Sequence, residues 1–159
     1  MAVKKNTPGL KDLIKKMKSI KAKDVMSKGV LTTRENVLLS DIADILIKKR
    51  ISGLPVVGKN KKLLGVITAN DLFLVMDMIA TGNVMEKGKI AVQNPTVKFA
   101  MSNEVSTVTK TASVYDILKL MKYKNIHTLP VVEKGKLIGV IGRRDLYKNF
   151  YSVVKQLNL

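Results

Sequence analysis

The chain repeats itself, and the repeat limits the folds open to it. Residues 51–57 read Ile-Ser-Gly-Leu-Pro-Val-Val, and residues 126–132 read Ile-His-Thr-Leu-Pro-Val-Val. Met26-Ser27 matches Met101-Ser102, Val30 matches Val105, Thr32 matches Thr107, and Asp41-Ile42 matches Asp116-Ile117, all at an offset of 75. Leu63-Leu-Gly-Val-Ile67 matches Leu137-Ile-Gly-Val-Ile141, and Asp71-Leu72 matches Asp145-Leu146, at an offset of 74. The one-residue difference falls between the polar stretches Gly58–Lys62 and Glu133–Lys136. A hairpin turn tolerates such a change in length.

Each copy has the same order of elements. A short strand near Val30–Thr33, and again near Val105–Val108, precedes a helix. Leu38, Ile42, Ile45 and Leu46 mark one face of the first such helix; Val114, Ile117, Leu118 and Met121 mark its counterpart. Two β-rich apolar runs around a polar turn follow, with Pro55 at the start of the first, and these read as a hairpin. A second helix starts at Asn70 or Arg144. The order is β-α-β-β-α, twice, in the α/β (α+β) class. Neither copy, at about 50 residues, buries much core alone, so the two are expected to pack together.

Ahead of the repeats, residues 1–24 carry eight Lys against Asp12 and Asp24. Leu10, Leu13, Ile14, Met17 and Ile20 fall at helical spacing, with Thr7 as N-cap and Pro8 in the first turn. A basic amphipathic helix over 8–20 is expected, its apolar stripe docked on the rest of the protein. The division is then a basic helical segment (1–21), repeat 1 (22–80), a linker (81–96), repeat 2 (97–150) and a tail (151–159).

Composition narrows the functions. The 159 residues hold no Cys and one His, which excludes a disulfide scaffold, a thiolate metal site and a cysteine nucleophile. One His, no Cys and scattered carboxylates offer no converging catalytic set, so no enzyme and no metal are expected. No apolar run approaches the roughly 20 residues that span a bilayer, and a cytoplasmic protein is expected. The 29 Lys and Arg against 12 Asp and Glu give a net charge of +17, which favours anionic company.

The repeats resemble a tandem pair of CBS domains, a Bateman module. The motifs that carry the resemblance are Asp-Val-Met26, Ile-Ser-Gly-Leu-Pro-Val-Val57 and Leu-Gly-Val-Ile-Thr-Ala-Asn-Asp71, with Phe-Ala-Met101, Ile-His-Thr-Leu-Pro-Val-Val132 and Ile-Gly-Val-Ile-Gly-Arg-Arg-Asp145 in the second copy. It covers about residues 20–150 and implies a stand-alone pair. It further implies two sheets packed about a pseudo-two-fold axis, with two clefts between the repeats for adenosine-containing ligands. By resemblance, the Asp that closes Thr/Ser-x-x-Asp grips the ribose, and the hydroxyl three residues earlier helps hold phosphate.

The chemistry of those residues agrees. A carboxylate offers two acceptor oxygens to the vicinal ribose hydroxyls, and a helix N-terminus favours a nearby phosphate. Both Asp residues could instead serve only as helix caps. Family geometry crosses the halves. It places Asp71 with Ile51, Ile67, Thr68 and Val105, and Asp145 with Val30, Ile126, His127, Ile141, Arg143 and Arg144. The second copy reads Gly142-Arg-Arg-Asp145 and lacks the hydroxyl, which Arg143 and Arg144 are candidates to replace. A histidine placed like His127 faces phosphate in the gamma subunit of AMP-activated protein kinase, which this stretch resembles.

The expectation is a non-enzymatic sensor of an adenine nucleotide such as AMP, ADP or ATP, with S-adenosylmethionine and methylthioadenosine as further candidates, and no cofactor. The alternative is a basic nucleic-acid-binding protein, with segment 1–24 touching nucleic acid or an acidic protein. A homodimer is expected through apolar helix surface such as Leu72, Val75 and Met76.

Overall fold

The structure is a computed structural model that describes residues 9–82 and 94–159. The expected N-cap Thr7 and helical Pro8, and most of the expected linker, lie outside the described residues. The chain divides into two compact units. Unit 1 takes residues up to Val30, Ser106–Lys134 and Ile138–Leu159; unit 2 takes Leu31–Val105 and Gly135–Leu137. Each unit therefore combines most of one repeat with the segment that precedes the other.

Unit 2 is built on helix α3 (Leu39–Lys49), hairpin β1 (Gly53–Val57) and β2 (Leu63–Thr68), helix α4 (Ala69–Thr81) and the short helix α5 (Val97–Ala100). The hairpin is antiparallel, with Gly53 opposite Thr68, Leu54 opposite Ile67 and Pro55 opposite Val66. A 3-10 turn over Lys59–Lys61 joins the strands. The core gathers Leu39, Ile42, Leu46, Leu54, Val56, Ile67, Val75 and Val97. The expected strand near Val30–Thr33 is a single parallel bridge, in which the Thr33 N–H donates to Pro55 O (3.0 Å) and the Val57 N–H to Thr33 O (2.9 Å). Leu31 and Thr32 are exposed, so burial does not extend the pairing.

Unit 1 repeats this plan with helix α6 (Val114–Tyr123), hairpin β3 (Thr128–Glu133) and β4 (Lys136–Gly142), and helix α7 (Arg143–Gln156). Val108 bridges to Val131 just as Thr33 bridges to Val56. Two N-terminal helices join it: α1 (Leu10–Ser19) and the single turn α2 (Ala22–Val25). Helix α1 lies against α6 and α7, with Leu13 and Met17 in the core and Lys11, Lys15, Lys16 and Lys18 exposed. The amphipathic stripe thus serves packing, and Lys18 also sits 5.1 Å from the Tyr115 ring centroid.

The buried helical faces agree with those expected except at Leu38 and Leu118. Leu39, Ile42 and Leu46 face the core, while Leu38 is exposed at the N-cap of α3. Val114, Ile117 and Met121 face the other core, and Leu118 is exposed. The three buried pairs keep the offset of 75, so the repeat holds in the core as well as in the motifs. The expected dimer surface also changes. Val75 is buried at 7% exposure and Leu72 packs against the same core, so of the three expected residues only Met76 is exposed.

Candidate functional site

Both aspartates sit in the first turn of the helix that follows a hairpin. In unit 2 the Thr68 backbone N–H donates to Asp71 Oδ2 (2.7 Å), and the Thr68 hydroxyl donates to the same oxygen (2.6 Å). The Asp71 N–H returns a bond to Thr68 Oγ1 (3.3 Å). This reciprocal cap satisfies free donors of the helix start. In unit 1 only the backbone is left: the Gly142 N–H donates to Asp145 Oδ2 (2.8 Å). Both carboxylates are half-buried, and in both the Oδ1 atom takes no part in the cap. Capping and ligand binding are therefore compatible at one carboxylate.

The crossed segments meet the second strand of each hairpin. In unit 2 Val66 and Ser102 exchange two backbone hydrogen bonds, each 3.0 Å. In unit 1 the Ser27 N–H donates to Val140 O (2.9 Å), and the Val140 N–H to Ser27 O (3.1 Å). These contacts bring the stretch leading to Val105 beside β2 and the stretch leading to Val30 beside β4. Glycine permits the approach. A Cβ at Gly65 would stand 2.6 Å from the Ser102 carbonyl oxygen, and one at Gly139 would meet the Met26 side chain. The Met-Ser and Leu/Ile-Gly-Val-Ile pairs were visible in the sequence as repeats, but spacing alone did not show that they touch.

The remaining expected residues separate by burial. Ile67 and Ile141 have no exposed surface and belong to the two cores. Ile51, Ile126, Val30 and Val105 are half-buried. His127 and Arg144 are exposed. Arg143 is exposed but held: its Nε donates to Ile126 O (3.2 Å) and its Nη2 to Asn125 Oδ1 (2.9 Å). These bonds tie it to the turn between α6 and β3. Ser52, the counterpart of His127, accepts at its carbonyl the Ala69 N–H at the start of α4 (2.9 Å). Among the described residues no cluster of three metal-ligating side chains occurs, and no helix is long and apolar enough to cross a membrane.

The CBS domain profile matches residues 22–77 and again residues 97–152. The chain belongs to the CBS-domain family. Its two CBS domains thus cover the two hairpin-and-aspartate units just described. An uncharacterized protein of Methanocaldococcus jannaschii is 36% identical over 131 residues, which is 82% of this chain and 39% of that relative's length. The CBS domain pair of protein MJ0100, solved with 5′-methylthioadenosine and S-adenosyl-L-methionine, is 27% identical with a TM-score of 0.68, covering 84% of this chain and 97% of that one. CBSX2, solved in complex with AMP, has a TM-score of 0.72 at 22% identity, covering 84% of this chain and 98% of that one. This last likeness concerns the fold.

Proposed function

We propose that this CBS-domain pair is a non-enzymatic regulatory module that binds an adenosine-containing ligand. The carrying observation is the pair of half-buried carboxylates, Asp71 and Asp145. Each is fixed at a strand-to-helix junction by a backbone N–H to Oδ2, and each keeps Oδ1 outside the cap. A carboxylate held this way is pre-oriented for two vicinal hydroxyls, and the helix start favours an anion beside it. The MJ0100 pair, solved with two adenosine-containing ligands, supports the reading at the level of ligand class. The nucleic-acid reading rests on charge alone, with Lys11, Lys15, Lys16 and Lys18 exposed on α1.

Asp71 acts with Thr68, Ile51 and Val105; Asp145 acts with Val30, Ile126, His127 and Arg144. The +17 charge favours phosphorylated ligands such as AMP, ADP or ATP. Binding regulates by favouring one of two states of the module, to the extent that the ligand's affinity differs between them. The module works as a homodimer, because exposed Phe73 and Met76 leave apolar helix surface to cover.

The test is calorimetric titration of the whole chain with AMP, ATP and S-adenosylmethionine, set against the Asp71→Asn and Asp145→Asn variants. Each substitution should weaken its own site by about 1.5–3 kcal/mol, the range for hydrogen bonds to a charged group. No heat with any of the three ligands would refute the proposal.

A further inference from the structure

The tips of the two hairpins meet. The Leu63 N–H donates to Gly135 O (3.2 Å), and Lys62 stands opposite Lys136 in an antiparallel bridge. The bond runs between the flanking residues, so Lys62 and Lys136 form the non-hydrogen-bonded kind of pair. That kind brings the side chains closest, with about 4.5 Å between Cα atoms. Like charges placed directly opposite each other destabilise a sheet. The 3-10 turn over Lys59–Lys61 adds two more lysines, and Lys134 adjoins Gly135 in the other turn. All five lysines are exposed, and Lys59, Lys61, Lys62 and Lys136 belong to unit 2.

The turns hold these charges against local preference. Lys61 (φ 60°) and Lys134 (φ 50°) are left-handed, a conformation that glycine and asparagine adopt with less strain. No acidic residue occurs within 58–63 or 134–137. Glu133, the next residue in sequence, pairs with Lys110 at 2.6 Å. Among the described residues no carboxylate pairs with any of the five lysines. The tips also hold no arginine, no aromatic residue and no exposed large apolar side chain. Strand β2 leads from the tip to Thr68, a span of about 20 Å at about 3.3 Å per residue, so the cluster lies apart from the Asp71 junction.

We infer that the paired tips bind a linear polyphosphate, a chain of phosphates joined through shared oxygens. Ammonium groups crowded this closely match a ligand whose negative charges are equally crowded. Neighbouring phosphates in such a chain share one bridging oxygen, whereas a nucleic-acid backbone sets a sugar between them. Each lysine is a compact charge with three donors, and each phosphate offers only acceptors. The tips carry no aromatic platform on which bases could stack. They carry no aromatic or arginine anchor of the kind that holds a protein interface. A bound polyanion relieves the repulsion between Lys62 and Lys136, so the crowding that disfavours the free protein favours the complex. This site is separate from the adenosine-ligand reading and does not depend on it.

The test is calorimetric titration of the full-length chain with a linear inorganic polyphosphate at several salt concentrations. The Lys62→Gln, Lys136→Gln double variant should bind about tenfold more weakly, and its salt slope should fall by about 2, one for each lysine removed. A control variant, Lys11→Gln with Lys15→Gln, removes the same charge from α1 and should change affinity by less than about twofold. The tip variant should melt at the same temperature as the unaltered chain or higher, since the opposed charges are gone, and this separates lost binding from lost folding. Duplex DNA and poly-glutamate, titrated at equal charge concentration, should bind more weakly than polyphosphate and should discriminate less between the two double variants. No saturable binding of polyphosphate would overturn the inference. Equal losses in the tip and control variants would overturn it too, by showing attraction to net charge alone. Tighter binding of DNA or poly-glutamate, lost in the tip variant, would overturn the choice of ligand.

Discussion

The Thr68 hydroxyl donates to Asp71 Oδ2 at 2.6 Å, and nothing replaces it at Gly142, the same station before Asp145. The two junctions share a backbone cap and differ by one side-chain donor. Their stabilities and ligand preferences should differ accordingly.

The first expectation concerns the caps. Thr68→Ala removes two hydrogen bonds of the Asp71 box and should lower stability by about 1 kcal/mol. Gly142→Ser should raise it by about 0.5–1 kcal/mol, from a new cap and a less flexible unfolded chain. Gly142 already has the extended backbone of an N-cap (φ −96°, ψ 166°), and a Cβ there meets its nearest atom at 3.6 Å, an ordinary contact. Denaturant melts of both variants check the opposite signs.

Gly65 and Gly139 should also part company. Alanine at Gly65 drives a Cβ against the Ser102 backbone oxygen at 2.6 Å, which cannot yield without breaking the Val66–Ser102 pair. A loss of about 1–3 kcal/mol is expected. At Gly139 the obstacle is the Met26 side chain, which can rotate aside, so the loss should be smaller. Equal losses in urea melts would contradict this reading of the two crossings.

Lys110 and Glu133 form an ion pair of 2.6 Å in unit 1. Its hydrogen bond and charge hold the Glu133 carboxyl below its ordinary pKa. A depressed carboxylate contributes its stability above the unfolded pKa and loses it as pH falls through the folded one. The side-chain carbon resonance of Glu133 should therefore titrate below the usual glutamate range. Lys110→Ala should move the midpoint up, and added salt should move it the same way.

Much of this was legible in the sequence because the repeat is a comparison built into one chain. Paired motifs located both hairpins and both aspartates, and the polar turns explained the change of offset. The expected helical faces held except at their edges, where Leu38 stood in for Leu39 and Leu118 was added, since adjacent apolar residues satisfy a period of 3.6 nearly equally well. Ser113 gives the missing alignment. Its side chain caps α6 at the N-cap station that Leu38 holds before α3, so the buried face starts one residue later. Val75 was read as surface for the same reason. Arg143 escaped because a long guanidinium can reach either side of its helix start, and only the structure shows it bound to Asn125. The crossing of Ser27 to Val140 and of Ser102 to Val66 joins residues far apart in sequence. Only the family resemblance suggested it in advance.

The sites should differ in ligand preference. With Asp71 silenced, binding at the Asp145 site, flanked by His127 and Arg144, should favour ATP over AMP. With Asp145 silenced, the remaining site should discriminate less. Arg143 is tied to the α6–β3 turn, so Arg143→Ala should change this preference less than Arg144→Ala. Competition titrations of the single-site variants give the comparison.

The most direct test of the central claim is calorimetric titration of the chain with AMP, ATP and S-adenosylmethionine, beside the Asp71→Asn, Asp145→Asn double variant. The account predicts saturable binding of at least one ligand by the unaltered chain. It predicts loss of that binding in a double variant that still melts cooperatively. Equal binding by both proteins, or none by the unaltered chain, would contradict it.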